Sequence, residues 1–298
     1  MNRARGYLLV LASTLVISTT GILMKYIRMH FPIRELTLAF WRALIVSCTM
    51  LFALKLARPQ WLRVQGRDIP FYLAYGFLGV AFSQALWIYS VSLNGAALGT
   101  VLGYVAPAFV TLLSRWLFGE PITPAKRVAL ALTFAGVVLV SRVYDMAHLR
   151  LALPGLLCGV AAGLAYGSYT LFGKEASRRH HPWVAMAYTF AFGTFFLALA
   201  QQPEQLFALG RDARGWTLVG LLALVPTMGG YGLFTLSLRD LPAGVAGLIQ
   251  PLEVVFASGI AFFALGETLQ PVQVAGAALI LTGVLFLRPR RAGAEDRA

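Results

Sequence analysis

The sequence predicts an all-α integral membrane protein with ten transmembrane helices, arranged as two inverted five-helix repeats. Three observations lead to this fold class: an apolar composition, ten long apolar runs and a repeat that relates the two halves of the chain. Of the 298 residues, 58% are hydrophobic and 12% are charged, whereas a typical soluble domain has about 25% charged residues. The mean hydropathy of +0.72 therefore indicates a chain that is embedded in lipid.

The net charge of +13 is also explained by a membrane protein. A basic chain can bind nucleic acid, but here the Lys and Arg residues lie in short segments between apolar runs. Basic cytoplasmic loops account for this pattern, so we expect no nucleic-acid partner. Cys48 and Cys158 both lie within apolar runs, and neither a disulfide framework nor a metal site is indicated. We expect no cofactor.

Ten apolar runs have about the length that a transmembrane helix requires, which is about 20 residues. They lack the alternating pattern and the short segments that are typical of barrel strands. The first run is longer than the core of a signal peptide, so we expect it to be retained as a transmembrane helix. The predicted spans are 6–27, 34–55, 69–91, 95–117, 124–141, 154–174, 182–200, 215–238, 242–264 and 270–288.

The distribution of positive charge predicts the orientation. With both termini on the inner side of ten crossings, 17 of the 25 Lys and Arg residues lie on that side. Cytoplasmic loops carry an excess of positive charge, so the N- and C-termini are expected to be cytoplasmic. Arg28, Arg34 and Arg42 run against this bias, because they cluster on the outer side.

The two halves of the chain repeat each other. A shift of 147 residues superimposes LFGEPITPAKRVALALTFAGVVLV, which starts at Leu117, on ALGETLQPVQVAGAALILTGVLFL, which starts at Ala264. A shift of 149 pairs Gly6 with Gly155 and Lys25 with Lys174 at the start of each half. We therefore predict a first repeat at 1–147, a second at 148–288 and a disordered cytoplasmic tail at 289–298.

Each repeat contains five helices, and five is odd, so the second repeat enters the membrane from the opposite side. Inverted repeats of this kind are typical of secondary transporters, in which they allow a central site to open to each side in turn. The alternative is a gene duplication that is retained only for packing. No GxxxxGK[ST] loop is present, so ATP is not expected to drive transport directly.

Several motifs show a family resemblance over essentially the whole chain. Pro107 with Glu120 forms a "P…GE" pattern in the first half, and GLIQPLEVVFASGIAFFALGE follows from Gly247 in the second. The Trp41-Arg42 pair and the stretch WIYSVSLNGA, which starts at Trp87, add to the match. The chain resembles the EamA-type, ten-helix members of the drug/metabolite transporter superfamily.

The resemblance implies export or uptake of small metabolites such as amino acids, driven by a proton gradient or by substrate gradients. One position departs from the family pattern. Members often have a second proline directly after Pro-Leu-Glu, whereas this chain has Val254 there. The kink in the ninth helix is then expected to depend on Pro251 alone.

Polar residues at mid-membrane depth are costly and usually face a cavity. Glu253, in the middle of the ninth helix, is the clearest case. It is a candidate proton site or a partner for a substrate amine, and the alternative is a structural carboxyl. Tyrosines also pack between helices with a single hydrogen bond, so each aromatic candidate has a structural alternative. The predicted substrate cavity consists of Gln84, Trp87, Tyr104, Tyr166, Tyr169, Tyr231, Gln250 and Glu253.

A second group of residues is predicted to act in hinges or in close helix packing. Glycines recur every four residues along the sixth helix, which lets another helix approach closely. Pro226 and the glycines after it weaken the eighth helix at mid-depth. The predicted hinge or packing residues are Pro107, Gly163, Gly167, Gly229, Gly230 and Pro251.

Arg42 has two interpretations, since it either extends outward to the lipid headgroups or holds an anionic group. The favoured function is export of an amino acid or related metabolite through the cytoplasmic membrane, by a monomer or a homodimer, with protons as a possible coupling ion. A multidrug or lipid-linked-sugar carrier of the same fold is the alternative. A membrane-embedded enzyme is not favoured, because the apolar runs offer one deep carboxylate and no HExxH motif.

Overall fold

The structure, a computed structural model, describes residues 3–62, 64–144, 152–265 and 270–287. Within these ranges the regular secondary structure is helical, and no strand occurs. Eight of the helices are long and apolar enough to cross a membrane. The predicted all-α membrane fold is confirmed.

Ten helical elements, numbered in chain order, correspond to the ten predicted runs to within a few residues at each end. They are α1 (Arg3–His30), α2 (Glu35–Ala57), α3 (Gly66–Asn94), α4 (Ala96–Phe118), α5 (Pro124–Val140), α6 (Leu153–Arg179), α7 (Pro182–Leu199), α8 (Ala213–Asp240), α9 (Ala243–Phe263) and α10 (Pro271–Leu285). The number of crossings stays a prediction, because α5 and α10 have 17 and 15 residues and are shorter than the other eight.

Several helices begin where the sequence provides a cap. The Asp212 carboxylate accepts hydrogen bonds from the backbone N–H groups of Arg214 and Gly215, at 2.9 and 3.1 Å, and so begins α8. Thr123 caps α5 in the same way, with Pro124 at the first helical position. Proline suits this position because the N–H it lacks would have no partner within the helix.

Loops meet at two ends of the bundle. At the end where α1 begins, called the near end, Gly6 contacts Leu241, which follows α8. At the opposite end, called the far end, the Asn94 side chain accepts a hydrogen bond from the backbone N–H of Ala152 at 2.9 Å. Successive helices therefore run in opposite directions between the two ends.

The helices α5 and α10 pack against each other through small residues. A Cβ atom on Gly136 would lie 2.5 Å from the carbonyl oxygen of Gly276, and one on Gly283 would lie 3.1 Å from that of Ala129. The shift of 147 places Gly136 on Gly283 and Ala129 on Gly276, so it exchanges the two contacts. Since one residue number rises as the other falls, the two helices are antiparallel.

A second pair of contacts is exchanged in the same way, and it lies at opposite ends of the bundle. A Cβ atom on Gly6 would lie 2.7 Å from the Leu241 side chain, and one on Gly155 would lie 2.7 Å from the Asn94 side chain. The repeat pairs Gly6 with Gly155 and Asn94 with Leu241. A contact at the near end thus corresponds to one at the far end.

Three features predicted from the sequence lie outside the described residues. They are the boundary between the repeats at 147/148, the tail at 289–298 and Glu267, the repeat partner of Glu120.

Candidate substrate cavity

Two helices are interrupted at equivalent positions of the two repeats. The regular α-helix of α4 stops after Gly103 and resumes at Ala106, and that of α9 stops after Ile249 and resumes at Leu252. The shift of 147 places Tyr104 on Pro251, so the interruptions coincide in the repeat. Interrupted helices at mid-membrane depth form the binding sites of many transporters, because they expose backbone polar groups only where a cavity is present.

Two further helices share a second irregularity. Phe77–Phe82 in α3 and Ala223–Tyr231 in α8 are π-helical, and the shift of 147 superimposes the first segment on the second. Such segments are rare and often lie at functional sites. The weak point expected in the eighth helix is present as this π-helical segment, which contains Pro226; its counterpart in α3 was not predicted.

A cavity of about 440 Å³ lies where these irregular segments meet. Its volume is within the usual range for a small-molecule site, about 300–1,000 Å³. Residues from α1 to α6, α8 and α9 line it, among them Met24, Val140 and Ser258, which lie toward the far ends of their helices. The cavity therefore extends from the middle of the bundle toward the far end.

Polar groups on different helices are connected across the cavity. The Tyr104 hydroxyl donates a hydrogen bond to Oε1 of Glu253 at 2.6 Å. The Gln250 side-chain amide donates to the Tyr166 hydroxyl at 2.9 Å. Among the described residues no Lys, Arg or His forms an ion pair with Glu253, so this carboxyl is available to a proton or to a ligand.

Seven of the eight predicted cavity residues line this space. They are Gln84, Trp87, Tyr104, Tyr166, Tyr231, Gln250 and Glu253. The repeat partners Gln84 and Tyr231 are both among them, as expected from their equivalent depth.

Tyr169, the eighth predicted residue, does not line this cavity. Its side chain is 1% exposed and packs in an aromatic cluster with Tyr75, Phe234 and Tyr231. Its hydroxyl lies 3.4 Å from that of Thr235. Tyr166 and Tyr169 are three residues apart on one helix, so the directions of their side chains differ by only about 60°. The sequence therefore could not distinguish the cavity position of Tyr166 from the packed position of Tyr169.

The predicted hinge or packing residues lie in three kinds of place: at the helix interruptions, in close helix contacts and in a π-helical segment. Pro107 lines the cavity just after the interruption of α4, and Pro251 lies in that of α9. Gly163 and Gly167 face α4, and a Cβ atom on Gly163 would lie 2.8 Å from the carbonyl oxygen of Gly103. These two are contact residues. Gly229 and Gly230 both lie in the π-helical segment of α8.

The Gly-Glu pair after α4 connects the two halves of the chain at the near end. Gly119 has a positive φ of 68° and ends the helix, a conformation that glycine adopts without strain. This turn directs Glu120 toward the start of α9, where its two carboxylate oxygens accept hydrogen bonds from the N–H groups of Ala243 at 2.6 Å and Gly244 at 3.0 Å. The helix dipole makes a carboxylate favourable at this helix N-terminus.

The same carboxylate pairs with a buried cation. Lys126 Nζ lies 3.4 Å from Oε2 of Glu120, and both side chains are nearly inaccessible. A Cβ atom on Gly244 would lie 3.2 Å from that Nζ, so the glycine leaves room for the ion pair. These contacts join the first and second halves of the chain at the near end.

Sequence reasoning missed two functional features of this arrangement. It placed Glu120 in a repeated motif without assigning it a partner, because its partners are backbone N–H groups 123 and 124 residues away. It left Arg42 undecided, whereas the structure places Arg42 in the cavity wall with 6% of its surface exposed. Arg42 therefore lies inside the bundle and does not extend to the lipid headgroups.

Comparison with known proteins gives a consistent result over the whole chain. A transporter of Archaeoglobus fulgidus is 30% identical over 217 residues, which cover 71% of this chain and 73% of that protein. The probable amino-acid metabolite efflux pump of Salmonella typhimurium is 26% identical and covers 95% of this chain, with 94% of its own length matched. A protein of known crystal structure superimposes with a TM-score of 0.79 at 18% identity, over 96% of each chain, which shows a shared fold.

The model of the EamA-like transporter family matches the chain twice, at residues 4–142 and at residues 153–288. These two matches fall on the two halves that the internal repeat defines. Together they cover most of the chain, and the protein belongs to the EamA-like transporter family.

Proposed function

We propose that the protein is a secondary transporter that exports a small organic metabolite, an amino acid or a related compound, across the cytoplasmic membrane by alternating access. One observation supports the proposal more than the others: a cavity at the junction of interrupted helices extends toward the far end, while Glu120 joins the two halves of the chain at the near end. In the proposed mechanism these contacts close the near end. A site that is open toward one end only is one of the two states that alternating access requires.

The proposed second state follows from an inverted repeat, with the first repeat at 1–147 and the second at 148–288. Support comes from the contacts that the shift exchanges between the two ends, such as Gly6 with Leu241 and Gly155 with Asn94. The antiparallel packing of α5 on α10 also supports it. If each repeat adopts the conformation of the other, the near end opens and the far end closes.

The proposed orientation places both termini in the cytoplasm, as the excess of positive charge favours. In that orientation the near end is cytoplasmic and the cavity in this structure opens to the outside. This is the state from which an exporter releases its substrate. Glu253 is the proposed proton site, because it lines the cavity and has no cationic partner among the described residues.

The proposed substrate class is supported by the size of the cavity and by the relatives. A volume of about 440 Å³ accommodates an amino acid. The Salmonella typhimurium protein is named a probable amino-acid metabolite efflux pump, and it matches this chain over nearly its full length.

The proposal is tested by transport in liposomes. We expect purified protein to accelerate the movement of at least one member of a labelled amino-acid panel by tenfold or more over protein-free liposomes. Counterflow is the decisive readout, since an unlabelled substrate inside should drive uptake of the labelled one through a carrier but not through a leak. If the whole panel moves no faster than in protein-free liposomes, amino-acid export is contradicted, and drugs and lipid-linked sugars become the next probes.

A further inference from the structure

Arg42 differs from the other buried cations of the described chain in having no partner. Its Nε atom is buried and makes no hydrogen bond, and no carboxylate of the described residues forms an ion pair with it. By contrast, Lys126 pairs with Glu120. The half-buried Lys174 donates to two backbone carbonyls, at 2.6 and 2.7 Å.

An unpaired cation inside a bundle is unfavourable, because it has lost water without gaining a counter-charge. Proteins keep such a group where a ligand supplies the missing charge. Arg42 meets this description, since it is 6% exposed and lies in the cavity wall. Glu35, the acidic residue at the start of the same helix, is already paired with Arg28 and does not serve as its partner.

Arg42 shares the cavity with the carboxyl of Glu253. Tyr166 and Tyr231 line the same cavity, and each of them interacts electrostatically with both charged groups. The two charges do not form an ion pair with each other. The cavity lining therefore contains a cation, a carboxyl and apolar residues such as Met24 and Trp87.

We infer that Arg42 binds the carboxylate of the transported molecule, so that the substrates are small carboxylates, amino acids among them. A guanidinium is suited to this role, because its planar array of N–H groups matches the two oxygens of a carboxylate. The inference rests on the proposed transport function and names its substrate class.

Binding is tested first, with purified protein in a neutral detergent that is free of anionic lipid. The probes are L-phenylalanine and hydrocinnamate, which carry a carboxylate, and L-phenylalaninamide and phenethylamine, which do not. The two carboxylates are expected to raise the melting temperature by a few degrees and the other two to leave it unchanged. Arg42→Gln removes this response, whereas Arg34→Gln, the same change in an exposed residue outside the cavity, retains it.

The variant also separates a binding role from a structural one. If a ligand supplies the counter-charge of Arg42, the ligand-free Arg42→Gln variant should melt at the same temperature as the ligand-free wild type, or at a higher one. The reason is that the substitution removes a buried charge that has no counter-charge. A lower melting temperature of the ligand-free variant would indicate a structural partner and would overturn the inference. Equal stabilisation by the amide and the acid, or no stabilisation by any of the four probes, would also overturn it.

Transport in liposomes distinguishes this failure from failure of the proposed function. Transport of the amide as fast as the acid contradicts the role of Arg42 and leaves the transporter intact. Carboxylate binding that depends on Arg42, without transport of any amino acid, supports the role of Arg42 and contradicts amino-acid export.

Discussion

Glu253→Gln is expected to abolish the stimulation of transport by a pH gradient. The amide keeps the size of the side chain and can still accept the hydrogen bond from Tyr104, which spans 2.6 Å in the native protein, but it cannot gain or lose a proton. We expect the rate in the presence of the gradient to fall about tenfold, to the rate without it, which corresponds to about 1.4 kcal/mol in the barrier. Initial rates of uptake into liposomes, with and without the gradient, measure the effect.

Glu204→Gln is the matched control for this variant. Glu204 is exposed near the far end and lies outside the cavity. Glu204→Gln is therefore the same chemical change away from the cavity, and transport by this variant should equal that of the wild type. A Glu253→Gln protein that is still stimulated by the gradient would show that Glu253 is a structural carboxyl.

Glu120→Ala is expected to have the largest effect on stability and on the closure of the near end. The change leaves Lys126 buried without a counter-charge and removes the acceptor for the N–H groups of Ala243 and Gly244. Breaking a buried pair in this way costs about 3–5 kcal/mol. A cost of that size, if it falls on the state with the near end closed, shifts the balance between the two states by about two orders of magnitude or more.

The melting temperature in detergent and the rate of transport report the two effects of Glu120→Ala, and both should fall. Glu175→Ala is the control, because Glu175 forms its ion pair with Arg179 at the surface of the near end, where such a pair is worth about 0–1 kcal/mol. Equal losses in the two variants would contradict a special role of Glu120 in closing the near end.

The positions of the helices could be predicted from the sequence, because long apolar runs and proline or polar caps are local signals. The run at 215–238, for example, became Ala213–Asp240, which starts at the cap formed by Asp212. Most of the cavity could also be predicted, since a polar residue such as Gln84 or Glu253 in the middle of an apolar run seldom faces lipid.

The remaining features depend on contacts between distant parts of the chain. Tyr169 was predicted to line the cavity because its position in the apolar run indicates its depth in the membrane. That position does not indicate which neighbours surround its side chain. The π-helical segment at Phe77–Phe82 contains no proline, so no local signal distinguished it from regular helix. The role of Glu120 depends on backbone N–H groups in the other half of the chain, which a sequence pattern does not specify.

If the two repeats exchange conformations, the accessibility of Gly21 and Thr170 should change in a defined way. The shift of 149 pairs them; Gly21 lines the open cavity, whereas Thr170 is 1% exposed. The partner of a residue that is accessible from the far end should become accessible from the near end in the other state. In the same way Tyr169, the partner of the cavity residue Thr20, should line the cavity when the near end is open.

The most direct measurement is the labelling of Gly21→Cys and Thr170→Cys by a membrane-impermeant maleimide, applied to each side of the membrane in turn. Cys48 and Cys158 are first replaced by serine to give a background without cysteine. We expect Gly21→Cys to be labelled from the far side in the resting protein, and Thr170→Cys to be labelled only from the near side and only during transport. Transport that proceeds while Thr170→Cys stays unreactive from the near side, or becomes reactive from the far side, would contradict alternating access by exchange of the two repeats.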